Sequence, residues 1–181
     1  MWKRFWQEWG RDLLIAVAVA LFFRAEVVEA RVIPTESMVP TVLVGDRILA
    51  EKIIYRFTGA QRGDIIVFDP PFDQKSSNAV LAELGLEEDY LKRVIGLPGD
   101  VVEVKGGKVM VNGDTLTEPY LNGAPTYRYG PVTVPEGKLF VLGDNRNHSY
   151  DSHYWGFVDE SAVRSRAVVR WWPLNRIGML K

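Results

Sequence analysis

Two hydrophobic patterns divide the chain. The run LLIAVAVALFF over residues 13–23 holds no polar side chain, and Trp2, Phe5, Trp6 and Trp9 precede it at helical spacing. Alone, the run is shorter than the roughly 20 residues that cross a bilayer. A helix starting near Trp6 and continuing through Val28 reaches that length, with its tryptophans at headgroup level and the aliphatic stem of Arg24 reaching the interface. Residues 1–28 are therefore expected to form a short tip and a single transmembrane anchor. Lys3, Arg4 and Arg11 favour an N-terminus inside the cell and the rest of the chain outside. A cleavable secretory signal shares this layout, but the stretch from Arg24 to Ala30 makes a poor cleavage site. A buried core helix is the remaining reading.

Beyond residue 28 the period changes from helical to alternating, and glycine or proline punctuates nearly every gap. Strands are expected over Val27–Ile33, Arg47–Ile53, Asp64–Phe68, Leu91–Ile95, Val101–Val104, Lys108–Val111, Lys138–Leu142 and Ala167–Trp171. Gly106 and Gly107 between two alternating runs predict a two-residue hairpin, because both central positions accept positive φ. Asn112-Gly113 predicts another tight turn. Residues 69–90 break the pattern as a surface insertion with a helical turn or two over 79–87, and residues 118–135 within the 101–135 stretch read as an irregular excursion. The fold class is mostly β, a coiled antiparallel or mixed sheet of barrel-like form with one N-terminal transmembrane helix.

Composition narrows the chemistry. The chain has 181 residues, enough for one core, and its 22 basic and 23 acidic side chains are dispersed, which leaves no footprint for nucleic acid. With no cysteine, disulfides, thiolate metal sites and cysteine nucleophiles are excluded. The only histidines are His148 and His153, so no metal site and no cofactor are expected. The sequence Arg62-Gly63-Asp64 is read as a turn into a strand rather than as an adhesion motif.

Ser37 follows an apolar strand and lies between Pro34 and Pro40, which fix the local backbone. Serine needs a neighbouring base to act as a nucleophile. One candidate arrangement pairs Ser37 with His153 and Asp151, or with His148. The other uses Lys92, flanked by Leu91, Val94 and Ile95, since burial would lower its pKa toward about 7 to 8. Strand alternation puts Lys92 and Arg93 on opposite faces, so at most one is expected to point inward.

Four segments occur in order: PTESMVPT over 34–41, GDR over 45–47, KRVIGLPGD over 92–100 and GDNRNHSYDSHYWG over 143–156. Together they resemble the successive boxes of type I signal peptidases (leader peptidases), and the likeness runs from the end of the anchor to Trp172. The resemblance implies a membrane-bound serine endopeptidase that cuts exported preproteins after small residues, of the Ala-X-Ala type, through an acyl-enzyme. Ser37 would then be the nucleophile and Lys92 the general base, with Thr35 and the Ser37 backbone N–H as oxyanion hole. Ser149 would orient the lysine, supported by Asp151 and His153, and Ile33, Pro34, Met38, Val42, Tyr90 and Leu91 would line shallow substrate pockets. Residues 29–181 become an extracytoplasmic catalytic domain at the cell membrane. Its expected partners are signal peptides of preproteins and a lipid bilayer, with no nucleic acid, in a monomeric state. Trp171 and Trp172 are expected either in the core or at the bilayer surface. Two positions depart from the family pattern: Glu36 stands where many members have glycine, and His153 where many have an arginine paired with the carboxylate. The second change would make the Asp151 pairing depend on pH near 6.5, the usual histidine range, with weaker support for activity above it.

Overall fold

The computed structural model describes residues 9–10, 12–17, 27–71 and 90–180. The expected transmembrane helix and the insertion over 69–90 lie largely outside these residues. Residues 9–10 and 12–17 are helical, and Trp9, Leu13, Leu14, Ile15 and Val17 are exposed there. Among the described residues, no helix is long and apolar enough to cross a membrane.

The body is built from two sheets. The larger has eight strands in the order β1-β2-β11-β3-β4-β9-β10, with β12 added against β11; the smaller has the order β7-β6-β5-β8. The strands are β1 (Val28–Val32), β2 (Arg47–Glu51), β3 (Ile65–Phe68), β4 (Tyr90–Gly96), β5 (Val101–Lys105) and β6 (Lys108–Val111). They continue with β7 (Asp114–Thr115), β8 (Tyr129–Thr133), β9 (Lys138–Leu142), β10 (Val158–Asp159), β11 (Val163–Trp172) and β12 (Gly178–Met179). Every pairing is antiparallel, which removes the mixed-sheet alternative, and the large sheet curls into a half-barrel.

Position in the sheet explains the sequence patterns. Strand β3 is buried on both faces and reads as an unbroken apolar run, whereas the edge strand β1 is at most half-buried. Gly106 and Gly107 form the expected hairpin at φ 59° and 75°, and the Asn112-Gly113 turn, at φ 55° and 89°, joins β6 to β7. Three buried clusters result. Val102, Val104, Val109 and Val111 of the small sheet pack on Ile95, Phe140 and Leu142 of the large one. Phe68, Val94, Leu139 and Val158 form a second, and Ile33, Met38, Val42, Ile48, Ile65 and Ala167 form the third, beneath the segment that carries Ser37.

Several elements differ from expectation for local reasons. The strand expected to reach Ile53 stops at Glu51, whose carboxylate accepts the backbone N–H groups of Ile54 (2.8 Å) and Tyr55 (3.3 Å) and so starts helix α1 (Ile53–Thr58). The excursion over 118–135 contains β8, which pairs with β5. Strand β11 begins four positions before the expected Ala167, and its pairing with β2 shifts register twice, which blurs its alternation. In the Arg62-Gly63-Asp64 sequence, Gly63 takes φ 94°. Arg62 pairs with Asp100 at 3.1 Å, and the Asp64 carboxylate accepts the Gln61 N–H at 2.9 Å. That motif is a turn.

Candidate active site

Ser37 lies in the connection between β1 and β2, a stretch that folds back on itself through Val42 N–H to Met38 O (2.9 Å) and Gly45 N–H to Ile33 O (2.8 Å). Met38 and Val42 are buried in the core below, so this loop is anchored by apolar side chains on one side. A second segment holds it from above. Asn145 donates its backbone N–H to Ser37 O at 3.0 Å and its side-chain amide to Glu36 O at 3.1 Å. Gly143 makes this approach possible, since a Cβ there would fall 2.4 Å from Ser37 O and 2.2 Å from Ser149 Oγ.

Lys92 extends from β4, where Ile66 of β3 is its partner, and donates to Ser37 Oγ at 2.9 Å. It also reaches Leu91 O at 3.1 Å, and its ammonium stands 5.2 Å from the centre of the Tyr90 ring. Both members of the pair are buried: Lys92 is 3% exposed and Ser37 8%. Burial pulls the Lys92 pKa from 10.5 down to about 8, against the opposing negative charge of Asp151. A hydroxyl therefore sits within hydrogen-bond reach of an amine that exists in both protonation states near neutrality, as a nucleophile and its base require. Neither histidine hydrogen-bonds to Ser37: His153 Nδ1 meets Asp151 Oδ1 at 2.6 Å, and His148 Nδ1 meets Asn145 Oδ1 at 3.3 Å.

Arg93 departs from the expectation that only one of the two basic neighbours turns inward. It is 1% exposed, on the opposite face of β4, because that strand is covered on both sides here. Asp144 holds its guanidinium through two bonds of 2.8 and 2.7 Å, Gly63 O accepts a third at 2.7 Å, and the group lies 3.8 Å from the centre of the Tyr120 ring. Asp144 also accepts the Thr41 hydroxyl at 2.5 Å.

The supporting residues come together unevenly. Thr35 Oγ1 is 3.3 Å from Ser37 Oγ. Asp151 is fully buried; its Oδ2 accepts the Gly143 N–H at 2.9 Å and its Oδ1 the His153 ring. His153 is stacked on Tyr127 at 4.1 Å and 10°, and Tyr154 tilts against it at 4.0 Å. Ser149 Oγ is buried near Ser37 O but makes no hydrogen bond among the described residues, and none to Lys92.

A groove of about 390 Å³ runs past Ser37, with Ile33, Pro34, Met38, Tyr90 and Leu91 in its walls. Val42 is not among them; it is fully buried beneath, in the core that supports Met38. The groove also contains His148, weighed above as a partner for Ser37, and Arg31, Ile48, Val67 and Tyr150, which sequence reading did not single out. Tyr150 was within reach of inference, because it follows Ser149 in the segment that closes over the serine. Ile48 and Val67 were not, since nothing distinguishes them from ordinary strand positions.

Residues 6–172 match the family model described as "Signal peptidase, peptidase S26". The signal peptidase I of Leptolyngbya laminosa is 51% identical over 166 residues, covering 92% of this chain and 79% of that one. The probable signal peptidase I-2 of a Synechocystis strain is 48% identical over 175 residues, 97% of this chain and 77% of its own length. The thylakoidal processing peptidase 1 of Arabidopsis thaliana is 37% identical over 167 residues, 90% of this chain and 47% of its own. The chain belongs to the signal peptidase family, peptidase S26, and its activity is that of a signal peptidase I, a serine peptidase.

Proposed function

We propose that Ser37 and Lys92 are the catalytic dyad and that the groove beside them takes the end of a signal peptide. The single observation that carries this reading is the 2.9 Å contact between Ser37 Oγ and a buried lysine with a pKa of about 8. Neutral Lys92 takes the Ser37 proton as Oγ attacks the scissile carbonyl carbon. The Ser37 N–H and the Thr35 hydroxyl stabilise the oxyanion. The C–N bond then breaks as Lys92 returns the proton to the leaving amine, and a water activated by the same lysine hydrolyses the acyl-enzyme.

The substrate is held extended. Tyr90, Leu91 and Lys92 pair with β3 on one side, while β9 pairs with β4 only from Arg93 onward. Among the described residues no strand pairs with the other edge of residues 90–92, which leaves it for an added strand facing Ile33 and Pro34. Small side chains such as alanine, before the cut and two residues earlier, suit the shallow apolar walls.

The bilayer anchor is part of the same reading. Leu13, Leu14 and Ile15 are exposed on a helical segment, and Val32, Arg47 and Trp172 lie in one row across β1, β2 and β11, with Val32 and Trp172 exposed. Exposed Leu174, Ile177 and Met179 extend the apolar surface, which would set the groove at membrane height. Cleavage of a preprotein by the detergent-purified chain tests the dyad: Ser37→Ala and Lys92→Ala should each abolish product. Persistent cleavage by either variant refutes it. Protection of residues 29–181 from protease added to the outer face of the membrane would refute the topology.

A further inference from the structure

The substrate groove does not end at Ser37. Beyond the serine lies a second hollow of about 550 Å³, lined by Val39, Leu43, Asn122, Asn145 and Asn147, and sharing Glu36 and His148 with the groove. The two depressions thus meet beside the nucleophile. A chain whose scissile carbonyl is at Ser37 Oγ, and whose preceding residues fill the apolar groove, must leave on the other side, across Glu36 and His148. This step rests on the site reading given above.

The second hollow has a different chemistry from the first. Its side-chain amides offer donors and acceptors to an extended backbone of any sequence, while among the described residues in its lining Glu36 is the only carboxylate. Glu36 is exposed, precedes the nucleophile in the chain and lines both depressions; its carbonyl accepts the Asn145 amide, and its carboxylate has no ion-pair partner among the described residues. We propose that this hollow receives the first residues of the released mature chain and that Glu36 makes it favour basic over acidic residues there.

The size of the effect follows from exposure. A solvent-accessible charge pair contributes at most about fivefold, and reversing the sign of one partner turns attraction into repulsion. Lysine should therefore be preferred over aspartate by about tenfold at the second position after the cut.

The test uses the full chain in nonionic detergent and a series of peptides with alanine one and three residues before the cut. The second residue after the cut is Lys, Ala or Asp, and kcat/KM is measured for each at low salt. The parent should rank Lys above Ala above Asp; Glu36→Gln should shrink the Lys-to-Asp ratio to about twofold, and Glu36→Lys should invert it. Ser37→Ala, run beside them, reports on the site itself. Cleavage that depends on Ser37 but shows the same Lys-to-Asp ratio in parent and both Glu36 variants overturns the subsite and leaves the dyad standing. Cleavage that survives Ser37→Ala overturns both.

Discussion

The two faces of β4 bury adjacent cations in opposite ways. On one face Arg93 has a counter-ion: a bidentate carboxylate, a backbone carbonyl and an aromatic ring lie against its guanidinium. On the other, Lys92 has a serine hydroxyl, one carbonyl and a ring at 5.2 Å, but among the described residues no carboxylate within hydrogen-bond reach. Arginine keeps its charge and matches a carboxylate geometrically, so its face acts as a rivet. Lysine deprived of a counter-ion gives up its proton more readily, so its face can do chemistry. Burial is the same on both sides; the presence of a carboxylate decides which becomes structure and which becomes a site.

The largest expected effect breaks the Lys92 side. Lowering a lysine pKa from 10.5 to about 8 means that the fold disfavours the ammonium, at a cost of about 3 kcal/mol. The sign follows from the direction of the shift. The cost is fully present below pH 8 and fades as pH rises toward 10.5, where the unfolded chain loses its proton too. Lys92→Met, similar in volume and uncharged, should therefore raise the unfolding midpoint by several degrees at pH 7 while lowering kcat by at least about a thousandfold. Calorimetry and a preprotein assay on the same sample check both halves. A variant that is inactive and also less stable would show that Lys92 is a structural cation like its neighbour. In the parent, kcat/KM should rise with pH through about 8, as Lys92 loses its proton.

Arg93→Met sharpens the other side. It leaves Asp144 buried with only Thr41 as a side-chain partner, and such an orphaned charge costs about 3–5 kcal/mol. The unfolding midpoint in urea should fall accordingly, and Arg93→Met combined with Asp144→Leu should recover most of the loss. No recovery in the double variant would mean that the pair stabilises more than it costs to bury.

The contrast between the faces also explains how much was legible in the sequence. Alternation correctly placed Lys92 and Arg93 on opposite faces, but it carries no information about what covers each face. The partner of Arg93 is 51 positions away and the partner of Lys92 is 55 positions away, so both depend on how the sheet closes. Strands with their own strong turns, such as β5 and β6, were readable to within one residue because glycines at positive φ mark the reversal locally. Helix α1 was not, because its start depends on the Glu51 carboxylate rather than on periodicity. Ser37 stood out through its prolines; Ser149 did not reveal in sequence that its hydroxyl would lie near Ser37 O without a bond to the lysine.

A smaller effect separates the proposed oxyanion role of Thr35 from support of the dyad. Its hydroxyl lies 3.3 Å from Ser37 Oγ. Thr35→Val keeps the shape and removes the donor. It should lower kcat by about a hundredfold, leave KM near the parent value, and leave the pH at half-maximal rate unchanged. A shifted pH profile would place Thr35 in the proton path of Lys92 instead, whereas Thr35→Ser should restore most of the rate.

The smallest expected effect tests whether the Lys92 face is wholly free of carboxylate influence. Asp151 raises the Lys92 pKa from a distance, opposing burial, and its own near neighbour is the His153 ring. Tyr127 and Tyr154 are the other groups against that ring. A neutral imidazole leaves the Asp151 charge to act on Lys92, whereas a permanent cation at that position would offset it. His153→Arg should therefore move the rise in kcat/KM to lower pH by a few tenths of a unit. His153→Gln, which removes the ring without adding a cation, should shift that rise less than His153→Arg does. The comparison is made as three pH profiles under one set of conditions. Coincidence of all three would mean that Asp151 acts only by holding Gly143 N–H, and that the pKa of Lys92 is set by burial alone.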